Sequence, residues 1–196
     1  GNWVLRQAFT AASDWRRRGL PPIRLAVNIS GRQIKEPNFI VEVRSLLAAF
    51  DVPVTCLEFE ITESLLIENA PATVMALRDL KQTGIRLSLD DFGVGYSSLG
   101  YLKRYPFDAI KIDRSFIRDI EHDASDAALC DAIIAMGERL GVQVVGEGVE
   151  TEKQLQFLKQ HGAGLAQGYH IAEPMPLAQF EAFVRDYGDK AVTSLG

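Results

Sequence analysis

The chain has 196 residues, 47% of them hydrophobic and 24% charged, with a net charge of −5. This is ordinary globular composition, long enough to bury one core. It argues against a nucleic-acid polymer as partner, because such proteins present a basic stripe, and the densest basic run, Arg16-Arg17-Arg18, fits the solvated end of a helix.

Residues 3–18 carry Trp3, Val4, Ala8, Phe9, Ala12 and Trp15 at helical spacing, and Gly19 with Pro21-Pro22 stops that helix. Residues 23–28 read as a strand and 38–49 as a helix with Phe39, Val43, Leu46 and Leu47 on one face. A strand over 57–61 precedes a helix over 70–83 that ends at Gly84. A strand over 85–90 leads to a short helix near 98–104, then a strand over 109–113. A helix over 124–140 stops at Gly141, and a strand follows over 142–147. Thr151 caps a helix to about residue 160; a short strand over 163–169 and a helix over 176–186 close the pattern. Strands alternating with helices of this length mean repeated βα units and a parallel sheet.

Six strands fit an open doubly wound sheet, whereas a closed barrel needs eight strands and typically about 250 residues. Side-chain parity favours the barrel. Each strand shows one apolar face, and each puts one polar residue at or near its C-terminal end on the other face. Those residues are Asn28, Glu60, Asp90, Lys111, Glu147 and Gln167. An open sheet covered on both faces should be apolar on both. A barrel explains the pattern, with polar ends converging on the mouth where barrel active sites form. With Asp91 beside Asp90, the rim is rich in carboxylate oxygen, which suits Mg²⁺ or Mn²⁺ better than zinc. Adjacent aspartates can share two ions, as in two-metal phosphoester hydrolysis. Singly, each of these residues has a structural reading; together they would bury charge for nothing without a ligand.

Other features get plain readings. Cys56 and Cys130 lack metal-ligand spacing and read as reduced core thiols of a cytoplasmic domain. No run reaches the length of a membrane span and no signal peptide is visible, so no membrane contact by this domain is expected. His122, His161 and His170 fall off the polar rim. Gly93-Val94-Gly95 is too short for a dinucleotide fingerprint.

The residues also carry a family resemblance. Asn28-Ile29-Ser30, Glu60-Ile61-Thr62-Glu63, Asp90 through Ser98, Lys111-Ile112-Asp113-Arg114, Glu147-Gly148-Val149-Glu150 and Gln167-Gly168-Tyr169 occur in the order of the EAL-domain phosphodiesterases. The whole chain, 1–196, resembles such a domain without its first strands. The resemblance implies an α/β fold of the TIM-type (β/α) barrel kind, with about six of eight strands present. It implies two Mg²⁺ or Mn²⁺ ions and cleavage of cyclic di-GMP to linear pGpG. Asn28, Glu60 and Asp90 would ligate one ion, and Asp90 would bridge to a second beside Asp91. Glu147 would be a ligand or the general base. Lys111 would hold the attacking water, Glu63 would anchor the loop after the Asp pair, and Gln167 would touch substrate.

The resemblance further implies a homodimer, through the loop that carries Val94, and sensor or GGDEF-type domains in the parent protein. The Glu-Ala-Leu segment, with one metal ligand, would lie upstream of Gly1, so reduced activity is expected of this chain by itself. A catalytically inactive cyclic di-GMP-binding module is the alternative reading.

Overall fold

The alternating pattern folds as parallel β/α units. The computed structural model describes residues 2–67, 71–95, 102 and 104–188. In chain order the elements are α1 (Asn2–Arg17), β1 (Leu25–Asn28), α2 (Gly31–Ile34), α3 (Phe39–Ala49), a 3-10 turn (Val54–Cys56), β2 (Leu57–Thr62), α4 (Ser64–Ile67) and α5 (Pro71–Gln82). They continue with β3 (Arg86–Phe92), β4 (Ala109–Ile112), α6 (Arg114–Arg118), α7 (Ala124–Leu140), β5 (Gln143–Glu147), α8 (Glu152–Gln160), β6 (Leu165–Gln167) and α9 (Leu177–Gly188). The strands hydrogen-bond in chain order, β1-β2-β3-β4-β5-β6. The helix expected near 98–104 lies mostly outside the described residues. Helices α2, α4 and α6 were not expected, because four or five residues are too few to show a helical period.

The chain divides into two compact units, Gly1–Ser88 with Ser98–Phe107, and Leu89–Ser97 with Asp108–Gly196. In the first unit, β1 and β2 pair in parallel with Asn28 opposite Glu60. Phe9, Phe39, Leu57, Phe59, Ile61, Leu77, Leu80 and Ile85 are fully buried there. The α1 stripe differs from the expected one. Leu5, Ala8, Phe9, Ala12 and Trp15 are buried, whereas Trp3 is 72% and Val4 47% exposed. The spacing 5, 8, 9, 12 defines one helical face, and Trp3 falls off it. Cys56 is half-buried, not a core residue as expected. It lines a cavity of about 310 Å³ with Trp15, Pro21, Pro22 and Pro53. At the start of β2, buried Glu58 accepts from Arg86 Nε at 3.2 Å, with Arg24 Nη1 at 3.7 Å. Those two cations answer a carboxylate that faces the same way as Glu60.

In the second unit, β4 pairs with β5 and β5 with β6, both in parallel. Caps set the helix boundaries. The Asp123 carboxylate accepts from Ser125 N–H and Asp126 N–H at the start of α7, and Gly141 ends that helix in the left-handed region (φ 68°). Thr151 and Gln154 form a capping box on α8. Ile110, Ile112, Cys130, Ile134, Val149 and Leu158 make the core of this unit.

Candidate metal centre

Strand β3 ends in Asp90-Asp91-Phe92. In a regular strand, neighbouring side chains leave on opposite faces. Asp91 breaks that alternation: its φ is 54°, the single positive value at a non-glycine among the described residues. Carboxylate oxygens of Asp90, Asp91 and Glu147 consequently lie within 4.8 Å of one another.

Lys111 enters the cluster from β4. It is 4% exposed, and its Nζ lies 3.2 Å from Asp90 Oδ1 and 2.5 Å from Glu147 Oε1. The contact with Asp90 is an ion pair out of hydrogen-bond alignment, since the buried Asp90 Oδ1 accepts no hydrogen bond. Burial and the neighbouring Asp90 and Asp113 charges raise the Asp91 carboxyl above its usual range, against the pull of Lys111 and Arg114. Three carboxylates meet here, one holds a buried oxygen with room in its valence, and the protein's own cation sits between two of them. An oxygen-only donor set of this kind fits a hard divalent ion such as Mg²⁺ or Mn²⁺.

Gln167 is the register partner of Glu147 on β6, so the two stand side by side at the strand ends. Two cavities open beside the cluster, of about 620 Å³ and about 460 Å³. Both are lined by Asp91, Asp113, Arg114, Gly148 and Glu150. The first extends to Val94 and Arg118, the second to Glu147, Gln167 and Tyr169. Asp113 caps α6, its carboxylate accepting from Ser115 N–H at 2.9 Å. The Arg114 guanidinium makes no hydrogen bond or salt bridge among the described residues, although Asp91 feels its charge.

The structure thus brings together Asp90, Asp91, Lys111 and Glu147, with Gln167 adjoining. In the other unit, Asn28 stands exposed opposite Glu60, and Glu60 and Glu63 are buried at 8% and 3% exposure. Parity reasoning missed Asp113, Arg114 and Glu150 as cavity walls. They sit in the first residues beyond β4 and β5, where alternation no longer applies. The motif segments Lys111-to-Arg114 and Glu147-to-Glu150 contained them. Tyr96, Ser97 and Ser98 of the loop after β3 lie outside the described residues.

Parallel β/α units with a carboxylate cluster at the strand carboxyl ends define a barrel-type domain with a candidate metal site. The comparisons narrow that class. The profile of the EAL domain family matches residues 1–174, and the chain belongs to that family. It is 43% identical over 186 residues to the cyclic di-GMP phosphodiesterase NbdA of Pseudomonas aeruginosa, covering 95% of this chain and 24% of that protein. It is 38% identical over 191 residues to the cyclic di-GMP phosphodiesterase PdeR of Escherichia coli, covering 97% and 29%. The chain spans about a quarter of the length of these curated relatives. Among solved structures, the PaMucR phosphodiesterase in complex with c-di-GMP aligns with a TM-score of 0.87 at 40% identity, covering 92% of this chain and 73% of that one. The fold is α/β of the TIM-barrel kind, as expected from the sequence. No helix among the described residues is long and apolar enough to cross a membrane.

Proposed function

We propose that this domain is a metal-dependent phosphodiesterase that opens cyclic di-GMP to linear pGpG. The observation that carries the reading is the convergence of Asp90, Asp91 and Glu147 around buried Lys111, beside cavities bordered by Arg114, whose guanidinium has no ion-pair partner among the described residues. Asp90, Asp91 and Glu147 would hold Mg²⁺ or Mn²⁺. Bound there, two such ions supply Lewis-acid activation of water and neutralise charge on the phosphodiester. The chain's own residues do the rest. Lys111 keeps the carboxylates of Asp90 and Glu147 turned toward one point and donates from Nζ at the place of attack. Arg114 offers two parallel N–H groups to a phosphate that enters the cavity. Gln167 presents an amide to the nucleotide from the edge nearest Glu147. The roles that the family resemblance implies for Asn28 and Glu60 as further ligands, and for Glu63 as a loop anchor, belong to the same reading. So do a homodimer and partner domains in the full-length protein.

The test is incubation of the full-length protein with cyclic di-GMP and Mg²⁺ or Mn²⁺, with separation of the products. Linear pGpG is expected, with loss of at least about a hundredfold in turnover for Asp90→Asn and a folded protein by circular dichroism. Tight nucleotide binding without product would overturn the enzyme and favour a receptor.

A further inference from the structure

Gln154 is the one amide side chain among the buried polar residues described, at 4% exposure. It is the third residue of α8. Its Oε1 accepts from the backbone N–H of Glu150 at 2.7 Å and of Thr151 at 3.0 Å. Its Nε2 donates to the carbonyl oxygen of Arg118, the last residue of α6, at 3.2 Å. Its own backbone N–H is taken by Thr151 Oγ1 at 3.1 Å. A capping box needs only the two Thr151 contacts. The bonds to Glu150 and Arg118 reach beyond the cap and tie the loop after β5 to the end of α6.

Both tied residues line the cavities beside the carboxylate cluster. Glu150 borders both cavities, and Arg118 borders the larger. The near end of the same loop is fixed differently. Gly148 has φ 68°, and a Cβ there would lie 2.5 Å from Cβ of Arg114, so bare backbone presses on the first turn of α6. The segment 148–151 is therefore held against α6 at both ends. The Gln154 attachment is a side chain that can be exchanged without straining the backbone, and it acts beside a second tie, from Thr151 Oγ1 to the Glu121 carboxylate at 2.7 Å.

We propose that Gln154 is a positioning residue for the nucleotide-facing wall. By holding the Glu150 N–H and the Arg118 carbonyl on one amide, it sets the spacing between Glu150 and the α6 residues Arg114 and Arg118 that line the cavity with it. The identity of the nucleotide rests on the function proposed above; the wall itself does not.

Two near-isosteric variants separate its two attachments. Gln154→Glu keeps an acceptor for the Glu150 and Thr151 N–H groups but turns the donor facing Arg118 into a second acceptor. Gln154→Met keeps the length and removes both. In the full-length protein, hydrogen exchange over 113–119 and 148–152, KM and kcat for cyclic di-GMP, and Mn²⁺ affinity are measured together. Gln154→Glu is expected to speed exchange over 113–119 alone, and Gln154→Met over both segments. KM should rise about tenfold in Gln154→Met, and less in Gln154→Glu, as expected for one or two lost buried hydrogen bonds. Mn²⁺ affinity should stay within about twofold, because Asp90, Asp91 and Glu147 are held by their strands and by Lys111. Faster exchange with unchanged KM would reduce Gln154 to a helix cap and overturn the proposal, as would unchanged exchange. If the parent protein neither binds nor cleaves cyclic di-GMP, the functional reading fails instead. Exchange then decides alone: faster at both segments upholds the wall, and unchanged overturns it.

Discussion

Lys111 Nζ stands 2.5 Å from Glu147 Oε1, on neighbouring parallel strands, with both side chains largely out of water. The lysine is therefore a resident cation among the carboxylates proposed to hold a metal ion. Replacing it by methionine removes the cation that stands 3.2 Å from Asp90 Oδ1 and 2.5 Å from Glu147 Oε1. Breaking a buried ion pair on one side costs about 3–5 kcal/mol. Lys111→Met should therefore lower the melting temperature in EDTA, and saturating Mn²⁺ should restore much of the loss, while turnover stays low. A variant as stable as the parent in EDTA would mean that Lys111 does not balance the cluster.

Arg114 borders both cavities and is not engaged by any described acceptor. A phosphodiester entering a cavity that also holds Asp91, Asp113, Glu147 and Glu150 needs such a partner. Arg114→Ala should weaken cyclic di-GMP binding about tenfold, with Arg114→Lys between, because lysine cannot offer the bidentate fork. Calorimetry against nucleotide and against Mn²⁺ alone makes the test: equal losses for both ligands would assign Arg114 to the metal centre instead.

The two thiols should differ sharply in reactivity. Burial, with a smaller push from Asp126, drives the Cys130 thiol up to about 12. At pH 8 its thiolate is about one part in ten thousand, and the thiolate is the reactive form. Iodoacetamide at pH 8 should therefore label the half-buried Cys56 and spare Cys130 until the chain is denatured. Raising the pH to 9 should still leave Cys130 out of reach. Equal labelling of both native thiols would show that α7 opens far more readily than its packing implies.

Two glycines offer a contrast between close approach and backbone conformation. A Cβ on Gly168 would lie 2.2 Å from both N and O of Val149. Those atoms are engaged by Gln167 O and His170 N, so they cannot retreat without breaking bonds. Gly168→Ala should destabilise by about 3 kcal/mol or more. At Gly141 nothing lies within 4 Å, and only the positive φ is lost, so Gly141→Ala should cost about 1 kcal/mol. Urea titrations of the pair would refute the close-approach account if the two losses were equal.

Much of this fold is legible from local chemistry. Gly141 and Thr151 announce the end of α7 and the start of α8 because capping is a contact between near neighbours in sequence. Strand parity found Lys111, Glu147 and Gln167 because alternation is a rigid rule inside a strand. Where the chain leaves regular structure, the rule goes with it. Asp113, Arg114 and Glu150 sit one to three residues past strand ends, and nothing in their spacing says which way they point. Trp3 and Val4 misled for a related reason. They are apolar and near the right period, but helix phase is set by what the first turn packs on, and the buried stripe begins at Leu5. Thr151 reads as a cap from sequence, whereas the bond from Gln154 to Arg118 joins residues thirty-six positions apart and is a product of tertiary structure.

The left-handed backbone at Asp91 also limits how the donor set can be rewritten. Outside glycine, that conformation is accepted most readily by aspartate, asparagine and histidine. Glutamate would bring a longer reach at a conformational penalty, and β-branched residues are close to excluded. Redesign of the proposed metal centre for another ion thus starts from a short list at this position. Of that list, histidine alone changes the chemistry of the donor from oxygen to imidazole nitrogen, the ligand preferred by zinc and copper. A single turn of backbone therefore acts as a filter on which metals the scaffold can be taught to prefer.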